Sequence, residues 1–169
     1  MPHLDAAYNL ARWLMNNQAD AEDMVQEACL RAFRYLDGLA GDNARPWLLS
    51  IVRRVCYDDL RRRGHHAAVG LDIDDAAETM LEQATTTLDP EATLIQQRDR
   101  DYLDRLIASL PAPYREVLIL RELEELPYRD IADIVGVPPG TVMSRLARAR
   151  ALLRAAWNRD QAEEARRGL

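Results

Sequence analysis

The sequence contains only two cysteines, Cys29 and Cys56, and they lie far apart without the C-x-x-C spacing of a thiolate site. This scarcity disfavours a disulfide scaffold and a cysteine metal centre, and each thiol is expected to be a small core residue. The adjacent His65 and His66 cannot share one face of a helix, which argues against a histidine ligand pair. We therefore expect no metal and no cofactor.

Long apolar runs are also missing. No stretch approaches the roughly 20 apolar residues of a membrane span, and the N-terminus lacks the basic-then-apolar pattern of a signal peptide. We therefore predict a cytoplasmic globular protein without membrane insertion. The sequence also offers no nucleophile and base pair, no paired carboxylates and no glycine-rich phosphate loop, so we expect neither an enzyme nor a small-molecule substrate.

An excess of basic residues is absent too, because the 169 residues carry a formal net charge of -6. The acidic excess lies in the middle, where residues 64–110 contain ten acids against three arginines, while residues 1–63 and 111–169 are nearly balanced. Balanced ends with local arginine clusters can contact phosphates, but counterion release alone would not give tight binding to DNA. Any affinity for DNA is therefore expected to need help from a partner.

Apolar residues recur at helical spacing, and no run alternates polar and apolar residues as a long strand would. The pattern predicts an all-α protein with two small helical domains. Residues 1–63 form the first domain, from three helices, and residues 91–169 form the second, which ends in a helix-turn-helix. Residues 64–90 form a flexible acidic linker, because they carry too little apolar surface to offset the entropy lost on ordering.

Two helices of the first domain have explicit boundary signals. The second is predicted to begin at an Asp20 cap and to run until Gly38, with Phe33 on its buried stripe. The third is predicted from Pro46, a residue suited to the first helical turn, to about Arg63.

Residues 127–150 carry the strongest functional signal. Ala132 sits where the first helix of a helix-turn-helix must let the second approach closely, and Gly136 supplies the left-handed backbone that ends the first helix. Val142 and Leu146 then face inward, which leaves the polar side chains of the second helix free to read duplex DNA. An ordinary helical hairpin is the alternative, but a hairpin does not require the small residue, the turn glycine and a basic second helix together.

A second candidate surface lies on the third helix, opposite its apolar stripe. Trp47, Ser50, Arg54, Tyr57 and Arg61 recur there at spacings of three and four. Aromatic residues interleaved with arginines can stack on unpaired bases and hold phosphates, which suits single-stranded or opening DNA. The alternative is that the aromatic rings pack on neighbouring helices and the arginines only solvate the surface.

Four segments of the chain match, in order, four segments of a known family. They are Ala19 to Ala32, Pro46 to Arg63, Leu110-Pro111 with Arg115 to Arg121, and Asp130 to Arg150. These segments resemble the "ADAEDLVQE", "PWL-x-x-I", "LP-x-x-x-REVL" and "EIA-x-x-LGVP-x-GTVKSRL" segments of one family. That family is the extracytoplasmic-function type of bacterial sigma factor, the smallest promoter-recognition subunits of RNA polymerase.

The resemblance implies core RNA polymerase, promoter DNA and an anti-sigma factor as partners. The second helix would dock on the clamp coiled coil of the polymerase, through Asp20, Asp23, Gln26, Glu27, Arg31 and Arg34. The loop from Gly38 to Arg45 would hold a flipped base of the -10 element and the third helix would help to open the duplex. The DNA-binding residues at the -10 element would be Asn43, Trp47, Ser50, Arg53, Arg54, Tyr57 and Arg61. The residues reading the -35 element would be Thr141, Ser144, Arg145, Arg148 and Arg150.

The chain departs from the family pattern at three places. Met143 stands where many members have Lys or Arg, Val55-Cys56 replaces the usual Asn-containing pair, and Ala44-Arg45 stands where aromatic residues are common. Two alternatives stay open at this point. An autonomous helix-turn-helix regulator would dimerise and bind operator DNA alone, and the first domain argues against it. An interaction protein that mimics a sigma factor would lack base-reading side chains, and Ser144, Arg145 and Arg148 argue against that.

Overall fold

The computed structural model describes residues 3–35, 43–64 and 95–167, without the side chains of 95–99 and 164. Residues 65–90 of the predicted linker and residues 38–42 of the predicted -10 loop lie outside the described residues. Within these ranges the chain forms seven α-helices and no strand, which confirms the all-α class. None of the described helices is both long and apolar enough to cross a membrane.

The first helical group consists of α1 (Leu4–Met15), α2 (Gln18–Arg34) and α3 (Ala44–Arg62), which all pack against one another. The predicted Asp20 cap of α2 is wrong, because Asn17 is the N-cap residue and its side-chain oxygen accepts a 3.0 Å hydrogen bond from the Asp20 backbone N–H. This helix also ends at Arg34, before the predicted stop at Gly38, and α3 begins two residues before Pro46.

Small residues form the inner face of α2. Ala21, Ala28 and Ala32 are completely buried, so α2 can approach its neighbours closely. Phe33 is 59% exposed, and its predicted burial is wrong. One residue advances a helix by about 100°, so Phe33 is turned away from the face that Ala32 occupies.

The second helical group consists of α4 (Ile95–Ser109), α5 (Ala112–Glu122), α6 (Tyr128–Val135) and α7 (Pro139–Arg167). Helices α5, α6 and α7 pack on one another, and α4 lies against α7. The rings of Tyr102 on α4 and Trp157 near the end of α7 are 5.4 Å apart between centroids. Prolines stand at or beside the starts of α5, α6 and α7, where a missing backbone N–H leaves no intrahelical bond unmade.

The turn between α6 and α7 has the geometry that the sequence predicts. Gly136 adopts φ 75° and ends α6, and its N–H donates a 2.8 Å hydrogen bond to the carbonyl of Ala132. Val142 and Leu146 face inward and are almost completely buried. Ser144 and Arg148 in the first turns of α7 are thereby directed away from the core.

The two helical groups pack against each other. Helix α1 contacts α5, and α3 contacts α6, so that buried apolar residues of both groups form one continuous core. At the edge of this contact, the side chain of Asn16 donates a 3.5 Å hydrogen bond to the carbonyl of Ala108. The sequence did not predict this contact, and it decides which candidate DNA-binding residues are accessible.

Candidate nucleic-acid interface

The first turns of α7 present an exposed polar strip. Ser144 and Arg148 are exposed neighbours at a spacing of four residues, and Met143 beside them is 50% exposed. The hydroxyl of Ser144 donates a 3.0 Å hydrogen bond to the carbonyl of Thr141, which orients it along the helix. Arg148 has no ion-pair partner within the described parts of the chain, so its guanidinium is available to a ligand.

The other two arginines predicted at the -35 element already contact carboxylates of α5. Arg150 donates a hydrogen bond to Glu122, which ties α7 to the end of α5. Nη1 of Arg145 lies 4.0 Å from Oε1 of Glu116, and the Arg145 side chain is only 18% exposed. Of the residues predicted to read the -35 element, Ser144 and Arg148 are therefore accessible, whereas Arg145 and Arg150 contact carboxylates of the protein itself.

The outer face of α3 is divided in the same way. Arg54 and Arg61 are exposed, and Asn43 is exposed at the start of the helix, where its side chain makes no capping bond. Trp47 is half-buried against the core, and the Ser50 hydroxyl donates a 2.7 Å hydrogen bond to the Trp47 carbonyl. The exposed arginines are therefore the accessible part of this predicted -10 surface.

Arg53 and Tyr57 on α3 are engaged by α5. Arg53 makes a bidentate ion pair with Glu116, with distances of 2.7 Å from Nε to Oε2 and 3.1 Å from Nη2 to Oε1. Its guanidinium carbon also lies 4.4 Å from the centroid of the Tyr57 ring. Tyr57 is 6% exposed, so its ring cannot stack on a base in this arrangement. In this arrangement both residues pack against neighbouring side chains, and their contact with DNA stays a prediction.

Burial dominates the electrostatics around Glu116. The carboxylate is completely buried, which raises its pKa, while the hydrogen bonds and positive charge of Arg53 act in the opposite direction. Burial also raises the pKa of Tyr57, and the negative charge of Glu116 adds to that shift. The Tyr57 hydroxyl has no hydrogen-bond partner of ordinary geometry among the described residues.

A second buried carboxylate, Glu124, joins the two helical groups. It is 5% exposed, and it accepts a hydrogen bond from the guanidinium of Arg45 at the start of α3. The side chain of Asn9 on α1 donates a 3.1 Å hydrogen bond to its other oxygen. Arg45 belongs to the loop that the sequence assigned to a flipped base.

The sequence did not identify Glu116 and Glu124 as functional residues, although α5 carries a relevant signal. The helix is buried on every side from Ala112 to Leu120. A helix that is enclosed on all faces is a central helix, and a carboxylate on it has to find a partner inside the protein.

The predicted polymerase-binding face lies on α2. Asp23, Gln26 and Arg34 are exposed without a described partner, whereas Asp20 is paired with Arg63 and Glu27 with Arg31. An apolar surface that the sequence missed lies beside them. It consists of Leu30 and Phe33, which are 55% and 59% exposed and three residues apart, and Tyr35 just after the helix is 65% exposed. Among the described residues, no group of histidines, cysteines and acids could hold a metal ion.

Comparisons with known proteins identify the family. Residues 1–66 match the model of sigma-70 region 2, and residues 100–153 match that of sigma-70 region 4. The chain is 36% identical over 135 residues to the ECF RNA polymerase sigma-E factor of Escherichia coli, covering 78% of this chain and 70% of that protein. The chain belongs to the ECF sigma factors.

Two further similarities extend across most of this sigma factor. It is 34% identical over 152 residues to the ECF RNA polymerase sigma factor SigE of Mycolicibacterium smegmatis, which covers 90% of this chain but only 57% of that relative. Among solved structures it is similar to the sigma factor RpoE of Bartonella quintana in complex with the anti-sigma factor NepR. That match has a TM-score of 0.68 and 27% identity, and it covers 92% of this chain and 91% of the other.

The family matches divide the candidate surfaces of the sigma factor between two regions. The region 2 match contains α1, α2 and α3, and with them the α2 face and the arginines of α3. The region 4 match contains α5, α6 and the first half of α7, including the exposed strip at Ser144 and Arg148. Glu116 and Glu124 also lie in the region 4 match, opposite arginines of region 2.

Proposed function

We propose that this ECF sigma factor binds core RNA polymerase, directs it to a set of promoters and helps to open the duplex at the -10 element. The observation that carries this proposal is the presence of both sigma regions in one chain, each with an exposed surface suited to its task. The functional domains would be residues 1–63 and 91–169, joined by the acidic segment 64–90. The chain would recognise the promoter, and the polymerase would catalyse RNA synthesis. Both would act in the cytoplasm.

The outer face of α2 is the proposed docking surface for the polymerase. Gln26, Leu30 and Phe33 are exposed at spacings of four and three residues, which places them on one side of the helix. An exposed apolar centre with a polar rim is the usual composition of a protein interface. Asp23 and Arg34 would belong to that rim.

The first turns of α7 are proposed to read the -35 element in the major groove. A recognition helix contacts base edges through the residues of its N-terminal half. Ser144 and Arg148 occupy that half on the exposed side, and Met143 adds an apolar contact surface. A bidentate contact between an arginine and a guanine contributes about 1–3 kcal/mol of base discrimination. Arg148 is the best placed of the predicted arginines, because no described carboxylate holds it.

The outer face of α3 is proposed to act at the -10 element. Arg54 and Arg61 would hold the phosphates of the separated strand, and Asn43 would lie at the edge of the base-binding loop. Extruding a base costs a few kcal/mol of unstacking, which contacts in a protein pocket can offset. We also propose regulation by an anti-sigma factor, on the basis of the similarity to RpoE, which was solved in complex with NepR.

Reconstituted transcription tests the proposal. The purified chain is added to core polymerase and genomic DNA, and transcript 5′ ends are mapped by sequencing. We expect a small set of start sites that share upstream sequence at the -35 and -10 positions. Random start sites equal to those of core polymerase alone would reject sigma activity. Tight operator binding by the free chain, without polymerase, would instead favour an autonomous helix-turn-helix regulator.

A further inference from the structure

We propose that Met143 on α7 is a specificity-determining residue, which reads a thymine of the -35 element through the 5-methyl group of the base. This inference rests on the proposed function and deepens it, because it assigns one base to the same recognition helix. Met143 lies in the first turns of α7 and is 50% exposed. The other large apolar residues described on this helix are buried or half-buried.

The exposed side of the first turns of α7 has a polar edge and an apolar edge. One residue advances a helix by about 100°, so Thr141, Ser144 and Arg148 lie within about 60° of one another. Met143 and Ala147 are both exposed and lie four residues apart, which places them on one side of the helix. Arg148 is turned about 140° away from Met143. Met143 and Ala147 are called the apolar edge from here on.

Short side chains around the apolar edge leave Met143 room to reach a base. Gly140 lies three residues before Met143, and a Cβ added there meets no described atom within 4 Å. The hydroxyl of Ser144 is bonded to the carbonyl of Thr141, which keeps it close to the helix. Arg150 lies two turns after Met143, and its guanidinium is held by Glu122. The backbone can therefore approach the groove closely, with Met143 extending beyond its neighbours.

Thymine is the base whose edge suits the apolar edge. In the major groove guanine presents two acceptors, adenine an acceptor and a donor, cytosine a donor, and thymine an acceptor together with a methyl group. A methionine side chain has no hydrogen-bond donor, and its sulfur is only a weak acceptor. Against the other bases it would displace water without replacing the hydrogen bonds of that water. Against thymine it buries two apolar groups together.

The flexibility of methionine favours this contact, and its size sets the expected effect. The side chain is unbranched, polarizable and has three rotatable bonds, so it can follow the position of a methyl group in the groove. Burial of one group of this size contributes about 0.8 kcal/mol, which corresponds to a factor of about four in affinity. We therefore expect the thymine methyl to change binding about fourfold.

Deoxyuridine in place of thymidine tests the assignment, because it removes the 5-methyl group and keeps the base pair. Holoenzyme assembled from the full chain and core polymerase enriches duplexes from a library that is randomised at the -35 element. Each thymine on either strand of the enriched element is then replaced singly by uracil. Competition with a fluorescent parent duplex measures the dissociation constant of each complex with the holoenzyme.

We expect uracil to weaken binding by the unmodified chain about fourfold at one position. Met143→Ala should weaken binding to the thymine duplex and abolish the difference between thymine and uracil, whereas Met143→Leu should keep the difference because leucine is apolar. Leu123→Ala is the matched control, since Leu123 is 52% exposed and lies just after α5, outside the recognition helix. Its ratio of thymine to uracil affinity should equal that of the unmodified chain. Circular dichroism checks the helix content of each variant.

Three results would overturn the proposal. The first is equal affinity for thymine and uracil at every position of the enriched element. The second is a difference between the two bases that persists in the Met143→Ala variant, which would assign the methyl contact to another residue. The third is an enriched element that contains no A·T pair. Failure of the proposed function is recognised separately, because the unmodified holoenzyme would then enrich no sequence and start transcription at random sites.

Discussion

The carboxylate of Asp20 accepts two hydrogen bonds from the guanidinium of Arg63, 2.8 Å and 3.0 Å long, and so joins the first turn of α2 to the C-terminus of α3. This bidentate pair fixes two helices whose outer faces carry different proposed functions. It also gives Asp20 a structural role beside the polymerase contact that its sequence position predicts.

Asp20→Asn should therefore lower the stability of the protein in a pH-dependent way. The hydrogen bonds from Arg63 hold the pKa of Asp20 below its ordinary value of 3.8. A carboxylate with a lowered pKa in the folded state adds stability above the unfolded value, and that contribution is lost as pH falls through the folded pKa. Urea titrations should show a small loss of stability at pH 7 and a difference between the two proteins that shrinks as pH falls below 3.8 and vanishes once pH is below the folded pKa of Asp20. An equal difference at both pH values would show that charge is not the cause.

Phe33→Ser should weaken the affinity for core polymerase with little loss of stability. Phe33 is 59% exposed, and exposed substitutions usually change the free energy of unfolding by less than about 0.5 kcal/mol. Leu103→Ser is the matched control, because Leu103 is an exposed apolar residue on α4, at 42%. Titration of labelled core polymerase should show a weaker complex for the Phe33 variant alone. If Leu103→Ser lost the same affinity for core polymerase, the effect would be a general one of exposed apolar residues and not specific to the α2 surface.

Arg148→Ala should reduce transcription from promoters with a -35 element while sparing assembly with polymerase. Loss of one bidentate base contact corresponds to about 1–3 kcal/mol, or roughly a fivefold to 150-fold loss of specific binding. Arg154→Ala is the control, since Arg154 is an exposed arginine farther along α7 and on another side of the helix. Transcription and core binding are measured in parallel. If the Arg148 variant transcribes every promoter at the rate of the unmodified chain, the -35 element is not read by this surface of α7.

Cys29 and Cys56 should differ sharply in their reaction with an aromatic disulfide reagent. Burial raises the pKa of Cys56 to about 12, and the side chain is fully enclosed. Burial also raises the pKa of Cys29, but that residue is only half-buried. At pH 8 we expect one thiol to react slowly in the folded protein and the second only after denaturation. A Cys29→Ser variant identifies the reactive thiol, and rapid labelling of that variant would contradict the packing of α3.

Gly136→Ala and Gly140→Ala should have opposite effects on stability. A Cβ added at either glycine meets no atom within 4 Å, so the backbone alone decides the outcome. Gly136 has φ 75°, where an L side chain costs roughly 1–2 kcal/mol. Gly140 lies in the first turn of α7, where alanine is favoured over glycine by roughly 0.5–1 kcal/mol. Thermal unfolding of both variants tests the pair, and a shift of the same sign in each would contradict the assigned turn.

The parts of this fold that the sequence could predict are local. The turn at Gly136 follows from a glycine, a small residue and inward apolar residues within a few positions, and the structure has that geometry. Boundaries were harder to predict, because Asn17 and Asp20 are both good caps and only the backbone decides between them. The exposure of Phe33 was missed because one residue of drift turns a side chain out of the core.

The contact between the helical groups could not be predicted from local patterns. Arg53 and Glu116 are 63 positions apart, and neither has a neighbour in the sequence that marks it as a partner of the other. The enclosure of α5 indicates only that a carboxylate on it needs a counter-charge. Which arginine supplies that charge depends on how the two groups meet in space.

Helix α7 has 29 residues, and at 1.5 Å per residue it is a rod about 43 Å long. The DNA-reading side chains occupy one end of this rod, and Trp157, about two thirds of the way along it, contacts α4, the first described helix after the acidic segment. Because this is one continuous helix, the ring contact that holds α4 and the turns that carry the DNA-reading side chains have a fixed spacing and orientation within the second helical group.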